Sequence, residues 1–447
     1  MSSGSSKILI YSPIITKRLE YIANIVFNRV LNLDFEITPD KEVFRNSGCP
    51  KFSYSPDNLF PDSPFLSAHS LLFETNIHKI NIDIFEVNDF KAFFRSGDNS
   101  FLPFDVLAAS FYLIVRYEEY LPFKADRFGR FDATESIAFK EGFLEIPIVN
   151  IWIEMLGNEL SKLFPELKTN GSHFTFISTI DVDNAWAHLN KGFARTFLSL
   201  FRLLLSANFK GFLKKLKVLI KAESDPYDNF TFIDETHRKY KIDPIYFVLF
   251  SHYGKYDKNP FQRNRKFRKL IEGISGHSKI GLHPSFHSNR KKAIVNKEKK
   301  MLEQLIGKQI SISRQHFLIM KMPDTYENLI DLGILTDYSM GYSTHPGFRA
   351  GFCFPFQFFN LKTNHETALE VIPFALMDVS FREHQKIMPE IALIQIKNII
   401  SSIKKVNGLF VSLWHNETFA EDNASIGWRY VFDQMLKELQ NGNQVLK

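Results

Sequence analysis

The chain has 447 residues, which at about 150 residues per domain excludes a single short module and points to roughly two or three folding units. Hydrophobic residues make up 45% and charged residues 23%, with 21 Gly and 19 Pro, so disordered and fibrous classes are excluded and a packed core is expected. A net charge of +6 over this length, without a recognised nucleic-acid module, gives no reason to expect a nucleic-acid partner.

The chain opens with one cation, Lys7, and a short apolar run at 8–11 that breaks at Pro13. That is not a signal-peptide pattern, and no stretch approaches the roughly 18 consecutive apolar residues of a membrane span. Cys49 and Cys353 lie too far apart in sequence to suggest a cysteine zinc site or a disulfide framework. A soluble, cytoplasmic protein with reduced thiols is expected. Hydrophobic patterning predicts a strand over 7–12, a helix over 16–31 and a second strand over 33–37. A long aromatic helix over 104–120 and another over 149–164 follow, with a charged, Gly-punctuated loop or hairpin over 122–145. Lys168, Asn170 and Gly171 give 165–172 turn chemistry without a hydrophobic period, so the boundary is placed there, between units 1–170 and 171–447.

Beyond it the chain repeats one theme, a short apolar run followed by a polar ending and a helical stretch. The runs are 174–180, 244–250, 279–282, 310–313, 335–339, 369–377 and 409–414, with helices expected at 290–306, 325–332, 385–405 and 428–439. This alternation predicts a parallel sheet or barrel, whose strand C-termini converge on one face. Asp181 and Asp183 close the first run, His252 the second and His283 the third. Arg314 and His316 follow the fourth, Asp378 the sixth and His415 the seventh.

In Thr179-Ile180-Asp181-Val182-Asp183 the carboxylates at i and i+2 project to one face of a strand, with Val182 turned away. A strand end running into an Asx turn fits the same residues. In His283-Pro284-Ser285-Phe286-His287 the two histidines stand at i and i+4, a spacing by which one helical turn chelates a metal ion, and one carboxylate would complete a facial set of three. A chance pair among 14 histidines is the plain alternative. His252, His316 and His345 are read as supporting or loop residues, and Phe348 and Arg349 either as sugar contacts or as part of a structural loop.

The order Thr-x-Asp-x-Asp, His-x-x-x-His, Arg314 after a later strand and Leu413-Trp414-His415 on the last strand resembles the polysaccharide deacetylase family, carbohydrate esterase family four. Tyr253-Gly254-Lys255-Tyr256-Asp257, the stretch 341–351 and His415-Asn416-Glu417-Thr418 resemble a cytoplasmic branch of it with an extra N-terminal domain of unknown function. The likeness covers about residues 172–447 and departs from the common pattern at Val182, Pro284 and His316, which stands where the family's Arg-x-Pro has proline. It implies a distorted (β/α)7 barrel preceded by a smaller α/β domain, and a divalent metal, expected to be zinc, held by Asp183, His283 and His287. It further implies Asp181 as general base, Arg314 holding that carboxylate ionised, His415 as general acid and Asp378 orienting it. The expected reaction is hydrolysis of an acetyl group, foremost N-acetyl, on a sugar or glycan precursor. Another metal-dependent amide hydrolase, or a silent glycan-binding or assembly protein on the same barrel, are the alternatives.

One segment stands apart. Between Lys191 and Lys221 there are eight Lys or Arg and no acid, interleaved with Phe and Leu, and positions 197, 200, 201, 204 and 205 form one helical face. The first reading is an amphipathic helix packed on the barrel with its basic face solvated. The second is an interfacial helix drawn to an anionic membrane surface, which would place the protein peripherally at the inner membrane face.

Overall fold

The structure, a computed structural model, describes residues 7–168, 172–289, 291–420 and 425–440. The expected boundary between 170 and 171 and the expected helix start at Arg290 lie outside the described residues. The N-terminal part is built on a parallel four-stranded sheet, β1 (Lys7–Tyr11), β2 (Asp34–Thr38), β3 (Lys51–Ser55) and β4 (Phe65–Ser67), in the order β2-β1-β3-β4. β1 alternates Ile8 and Ile10 into the main core with Leu9 and Tyr11 into a smaller cluster containing Phe44 and Phe60, so both faces are covered. The helix predicted at 16–31 starts on Thr16, whose hydroxyl accepts from Leu19 N–H at 3.1 Å, and continues from Lys17–Ala23 into a wider turn at Asn24–Val30. β5 (Phe85–Val87) and β6 (Phe90–Ala92) form a small antiparallel hairpin.

The long helix predicted at 104–120 is shorter. It runs from Val106 to Ile114, capped by Asp105, and stops because Arg116 adopts a left-handed conformation with φ 58°. That turn carries the buried Arg116 guanidinium to Glu119, with Nε donating to Oε1 at 2.8 Å, and to the Tyr342 hydroxyl at 3.1 Å. Arg349 closes the same Glu119 carboxylate from the other side, Nε to Oε1 at 2.8 Å and Nη2 to Oε2 at 2.6 Å. Phe348 and Arg349 are therefore buried structural residues, which decides between the two readings of that loop. Around this triad the main apolar core is continuous: it joins Ile8, Phe111 and Trp152 to Met340, Phe356, Phe359 and Val371.

The second part is a mixed α/β unit around a curled, half-barrel sheet of nine strands. β7 (Thr175–Val182), β8 (Ile245–Val248), β9 (Lys279–Leu282), β10 (Ile312–Ser313), β11 (Thr336–Met340) and β15 (Leu409–His415) correspond to six predicted runs. The run predicted at 369–377 divides into β13 (His365–Pro373), paired with β11, and β14 (Leu376–Met377), paired with β15. Between them Phe374 N–H bonds to Met340 O at 3.0 Å and Ala375 N–H to Val411 O at 3.3 Å, so this one run touches both ends of the parallel series. β12 (Phe356–Asn360) adds an antiparallel edge that the seven-strand expectation lacked. The seven-strand count thus gives way to the order β12-β13-β11-β10-β9-β8-β7-β15-β14.

Alternation along these strands sorts the side chains. Ile245, Phe247, Leu409, Val411 and Leu413 fill the inside of the curl. Ile180, Val182, Tyr246, Val248, Phe410 and Trp414 face a second core containing side chains from the helices Arg265–Ser275, Pro389–Lys405 and Trp428–Gln440.

The basic segment forms two helices, Phe193–Leu205 and Phe209–Leu219, rather than one. The packed reading is corrected here: no residue of the first helix is buried, and Phe197, Phe201, Leu204 and Leu205 are exposed, while Leu200 is half-buried.

Removing the shared carboxylate of the buried triad leaves two guanidinium charges without it. Glu119→Ala is expected to lower unfolding stability by about 3–5 kcal/mol, read as a drop in urea midpoint. A loss of about 1 kcal/mol or less, the range of an exposed pair, contradicts a structural role for the triad.

Candidate functional site

Asp181 is the seventh residue of β7 and Asp183 lies one residue beyond its end, so the two-residue period directs both inward while Val182 packs outward. β15 pairs with β7 in parallel, setting His415 opposite Asp181 and Leu413 opposite Thr179. Arg314, just after β10, is fully buried. Its Nη1 donates to Asp181 Oδ1 at 2.8 Å and Thr179 Oγ1 at 2.7 Å, and its Nε to Tyr338 O at 3.0 Å. The guanidinium lies 4.4 Å from the Phe247 ring centroid. Phe247 in turn needs Gly281, where a Cβ would come within 2.5 Å of its ring. The structure thus brings Arg314 into direct contact with Asp181.

His283 follows β9 and is buried. Its Nδ1 lies 2.6 Å from Arg314 O, which can only accept, so that nitrogen donates, and Nε2 points to Asp183 Oδ1 at 3.1 Å. Nε2 is also 3.8 Å from Asp181 Oδ2. The second imidazole at this point is not His287. Residues 284–289 do not form a helix. Instead the Asp257 carboxylate accepts from Phe286 N–H at 2.8 Å and His287 N–H at 3.2 Å, and Glu298 accepts from the Ser285 hydroxyl at 2.6 Å. These distant carboxylates capture the turn's donors, the i, i+4 geometry never forms, and the His287 side chain is exposed.

His316 takes that place, correcting its reading as a supporting residue. Its Nε2 lies 3.2 Å from Asp183 Oδ2, and its Nδ1 lies 2.9 Å from Asp257 Oδ1. Burial would lower the His316 pKa, but Asp183 and Asp257 push it up to about 9. A cation at Nε2 would compete with that proton. The cue in sequence was the i, i+2 spacing of Arg314 and His316, the same spacing that brings Asp181 and Asp183 together. Asp257, inside the Tyr253–Asp257 motif, had no cue of its own.

On the opposite side, His415 Nδ1 lies 2.7 Å from Asp378 Oδ1, and Asp378 Oδ2 accepts from His415 N–H at 2.8 Å and from the Thr418 hydroxyl. Burial lowers the His415 pKa, yet the adjoining Asp378 carboxylate outweighs it and the ring is pushed up to about 10. His415 Nε2 faces the centre, 3.8 Å from Asp183 Oδ2. Glu417 stands beside it with its carboxyl raised to about 7 by burial and then by Asp183. His252 is exposed, and His345 Nδ1 bonds Thr344 Oγ1 at 3.0 Å, so neither joins the group.

Asp181, Asp183, His283, His316, His415 and Glu417 floor a cavity of about 310 Å³ whose wall includes Arg127, Phe128 and Arg130 from the N-terminal part, a contribution with no cue in the sequence. Arg130 Nη1 donates to Phe317 O at 2.5 Å, and the Phe128, Tyr256, Phe286 and Phe317 rings meet with centroids 4.2–5.8 Å apart.

Asp183, His283 and His316 bring one ligand atom each within 4.8 Å of one another. Asp183 Oδ1 is buried without a hydrogen-bond partner and lies 3.1 Å from His283 Nε2. A buried, unpartnered carboxylate oxygen beside an imidazole nitrogen suits a cation held between them. Each imidazole is also oriented through Nδ1 by an acceptor behind it, the usual support of a metal-binding histidine. The residues present therefore fit a divalent ion.

Residues 8–165 match a family described as a family of unknown function (DUF7033). No curated protein matches the chain. Among solved structures, the chain is similar to a Mycobacterium smegmatis protein assigned as a polysaccharide deacetylase, with TM-score 0.40 and 15% identity over 62% of this chain and 87% of that one. It is also similar to an allantoinase, with TM-score 0.40 and 11% identity over 61% of this chain and 86% of that one. A Bacillus anthracis CE4 family pseudoenzyme matches with TM-score 0.30 and 12% identity, over 61% of this chain and 63% of that one.

Metal analysis after dialysis against zinc separates the two histidines. His316→Ala and His283→Ala are each expected to lose the bound ion, whereas His287→Ala keeps it in full. The reverse pattern would restore the i, i+4 pair.

Proposed function

We propose that this protein is a metal-dependent hydrolase that removes an acetyl group, foremost an N-acetyl group, from a sugar or glycan precursor. The observation that carries the proposal is the flanking of the Asp183, His283 and His316 group by two differently supported residues, Asp181 on Arg314 and His415 on Asp378, at the C-terminal ends of parallel strands. Asp183, His283 and His316 would hold the ion, with zinc the expected metal for this nitrogen and oxygen donor set. When bound, such an ion polarises an acyl carbonyl and lowers the pKa of water from 15.7 towards about 7.

The remaining work falls to the chain's own side chains. The Arg314 guanidinium occupies Asp181 Oδ1 and leaves Oδ2 turned to the centre. Oδ2 is the base that takes a proton from the attacking water as oxygen bonds to the acetyl carbon. His415 stays protonated near neutrality because Asp378 holds its Nδ1 proton. From Nε2 it gives a proton to the amide nitrogen as the C–N bond breaks, so the amine leaves neutral and acetic acid remains, which ionises to acetate as its proton and that on Asp181 pass to solvent and His415. A positioned acid matters most for a poor leaving group, which favours an N-acetyl over an O-acetyl substrate. In this reading the 171–447 unit carries the chemistry and the 1–170 unit walls the cavity, where aromatic faces beside arginines suit the apolar face and hydroxyl edge of a sugar.

Acetate release from N-acetylated sugars in the presence of zinc tests the proposal. Asp181→Asn and His415→Ala are each expected to lower turnover by about 10²–10⁴-fold while metal content is unchanged. Saturable glycan binding without acetate release would favour a silent binding protein, and turnover of a different amide would move the substrate class.

A further inference from the structure

The two helices at Phe193–Leu205 and Phe209–Leu219 present their apolar stripes to solvent. In the first, Phe193, Phe197, Phe201 and Leu204 recur at helical spacing and are all exposed, Phe193 by 88%. In the second, Phe209, Leu213, Leu216 and the following Ile220 do the same, while Lys215 and Val218 point inward and are buried. Ten of the twenty-five large apolar side chains exposed among the described residues lie in this short segment. An amphipathic helix on a globular surface normally turns such a stripe to the core, and a contiguous apolar patch of this kind marks an interaction surface.

Charge indicates what covers it. The exposed Arg202, Lys210, Lys217 and Lys221 border the stripes, and the segment 191–221 contains no acid, the one ion pair at these four among the described residues being Lys217 with Glu223 just beyond it at 2.9 Å. A second copy of the chain would bring its own cations against these. An anionic lipid surface complements them while its acyl region receives the Phe and Leu side chains. No described helix is long and apolar enough to cross a membrane, so contact would be peripheral. We infer that the helical hairpin at 193–219 docks this protein on an anionic bilayer surface.

The hairpin is also fixed in place. The Arg195 guanidinium stacks 3.5 Å from the Tyr253 ring centroid, and Lys191 Nζ donates to Asn184 Oδ1 and, at 3.3 Å, to Lys258 O. Lys258 and Tyr256 of the same loop line the cavity, so a docked hairpin would hold the cavity mouth close to the bilayer. The docking inference does not depend on the hydrolase reading, because vesicle binding is measured without turnover.

Co-sedimentation of the full chain with phosphatidylcholine vesicles, with and without phosphatidylglycerol, tests it. Binding is expected only with the anionic lipid and is expected to fall in high salt, since each cation near the surface multiplies affinity about fivefold. Phe201→Glu with Leu213→Glu, and separately Lys210→Glu with Lys217→Glu, should each reduce binding by at least about tenfold with circular dichroism unchanged. The inference is overturned if the unaltered protein stays in the supernatant, or if it binds neutral and anionic vesicles alike. It also fails if Phe201→Glu instead abolishes a concentration-dependent dimer that does not bind vesicles, since a second copy would then be the occupant.

Discussion

The two-residue period of the parallel strands is the constraint from which the site is built. β7 and β15 run side by side in register over seven residue pairs, from Leu409 opposite Thr175 to His415 opposite Asp181. Alternation sends Thr179 and Asp181 inward on one strand and Leu413 and His415 inward on the other, while Ile180 and Trp414 anchor the sheet to its helices. A slip of one residue would exchange these sets, putting carboxylates among the helices and Trp414 in the cavity. The apolar partners on both faces therefore hold the polar ends in place, and the position of each catalytic candidate is a by-product of core packing.

Burying so much charge requires that each group be answered. Asp181 has Arg314, Asp378 has His415 and Thr418, and Asp257 has His316 together with two backbone N–H groups. Unanswered charges in such surroundings are strongly destabilising. Asp183 differs, because it lies among three imidazoles and leaves one carboxylate oxygen without a donor. The supporting bonds fix side-chain orientation before any substrate arrives, and preorganised polar groups stabilise developing charge most effectively. His283 illustrates the economy of the arrangement, since the backbone carbonyl that orients it belongs to Arg314, whose side chain positions Asp181.

The N-terminal part is tied to this centre by buried polar contacts as well as by a continuous apolar core. Glu119 is shared by Arg116 and Arg349, and Arg130 reaches the Phe317 carbonyl beside His316. Through the latter contact the segment carrying Arg127 and Phe128 becomes a wall of the cavity. A region whose sequence groups no catalytic residue types thereby helps to shape what the cavity admits.

The sequence by itself determined the strand ends and the order of the polar residues on them, because alternation and βα punctuation are local and survive without knowledge of the rest of the chain. Asp181 with Asp183, Arg314, Asp378 and His415 were legible for that reason. Tertiary structure alone decided between His287 and His316, since the turn after His283 is shaped by Asp257 and Glu298, residues distant from it that capture its donors. It decided likewise that the 104–120 helix stops at Ile114, where Arg116 turns towards partners that include Tyr342, far along the chain. It also decided which way the apolar faces at 193–219 look, because an amphipathic pattern states that a helix has two faces but not which of them meets the protein. Contacts between residues far apart in sequence leave no periodic trace in it, and those contacts set the second imidazole beside Asp183, the cavity wall and the outward hairpin.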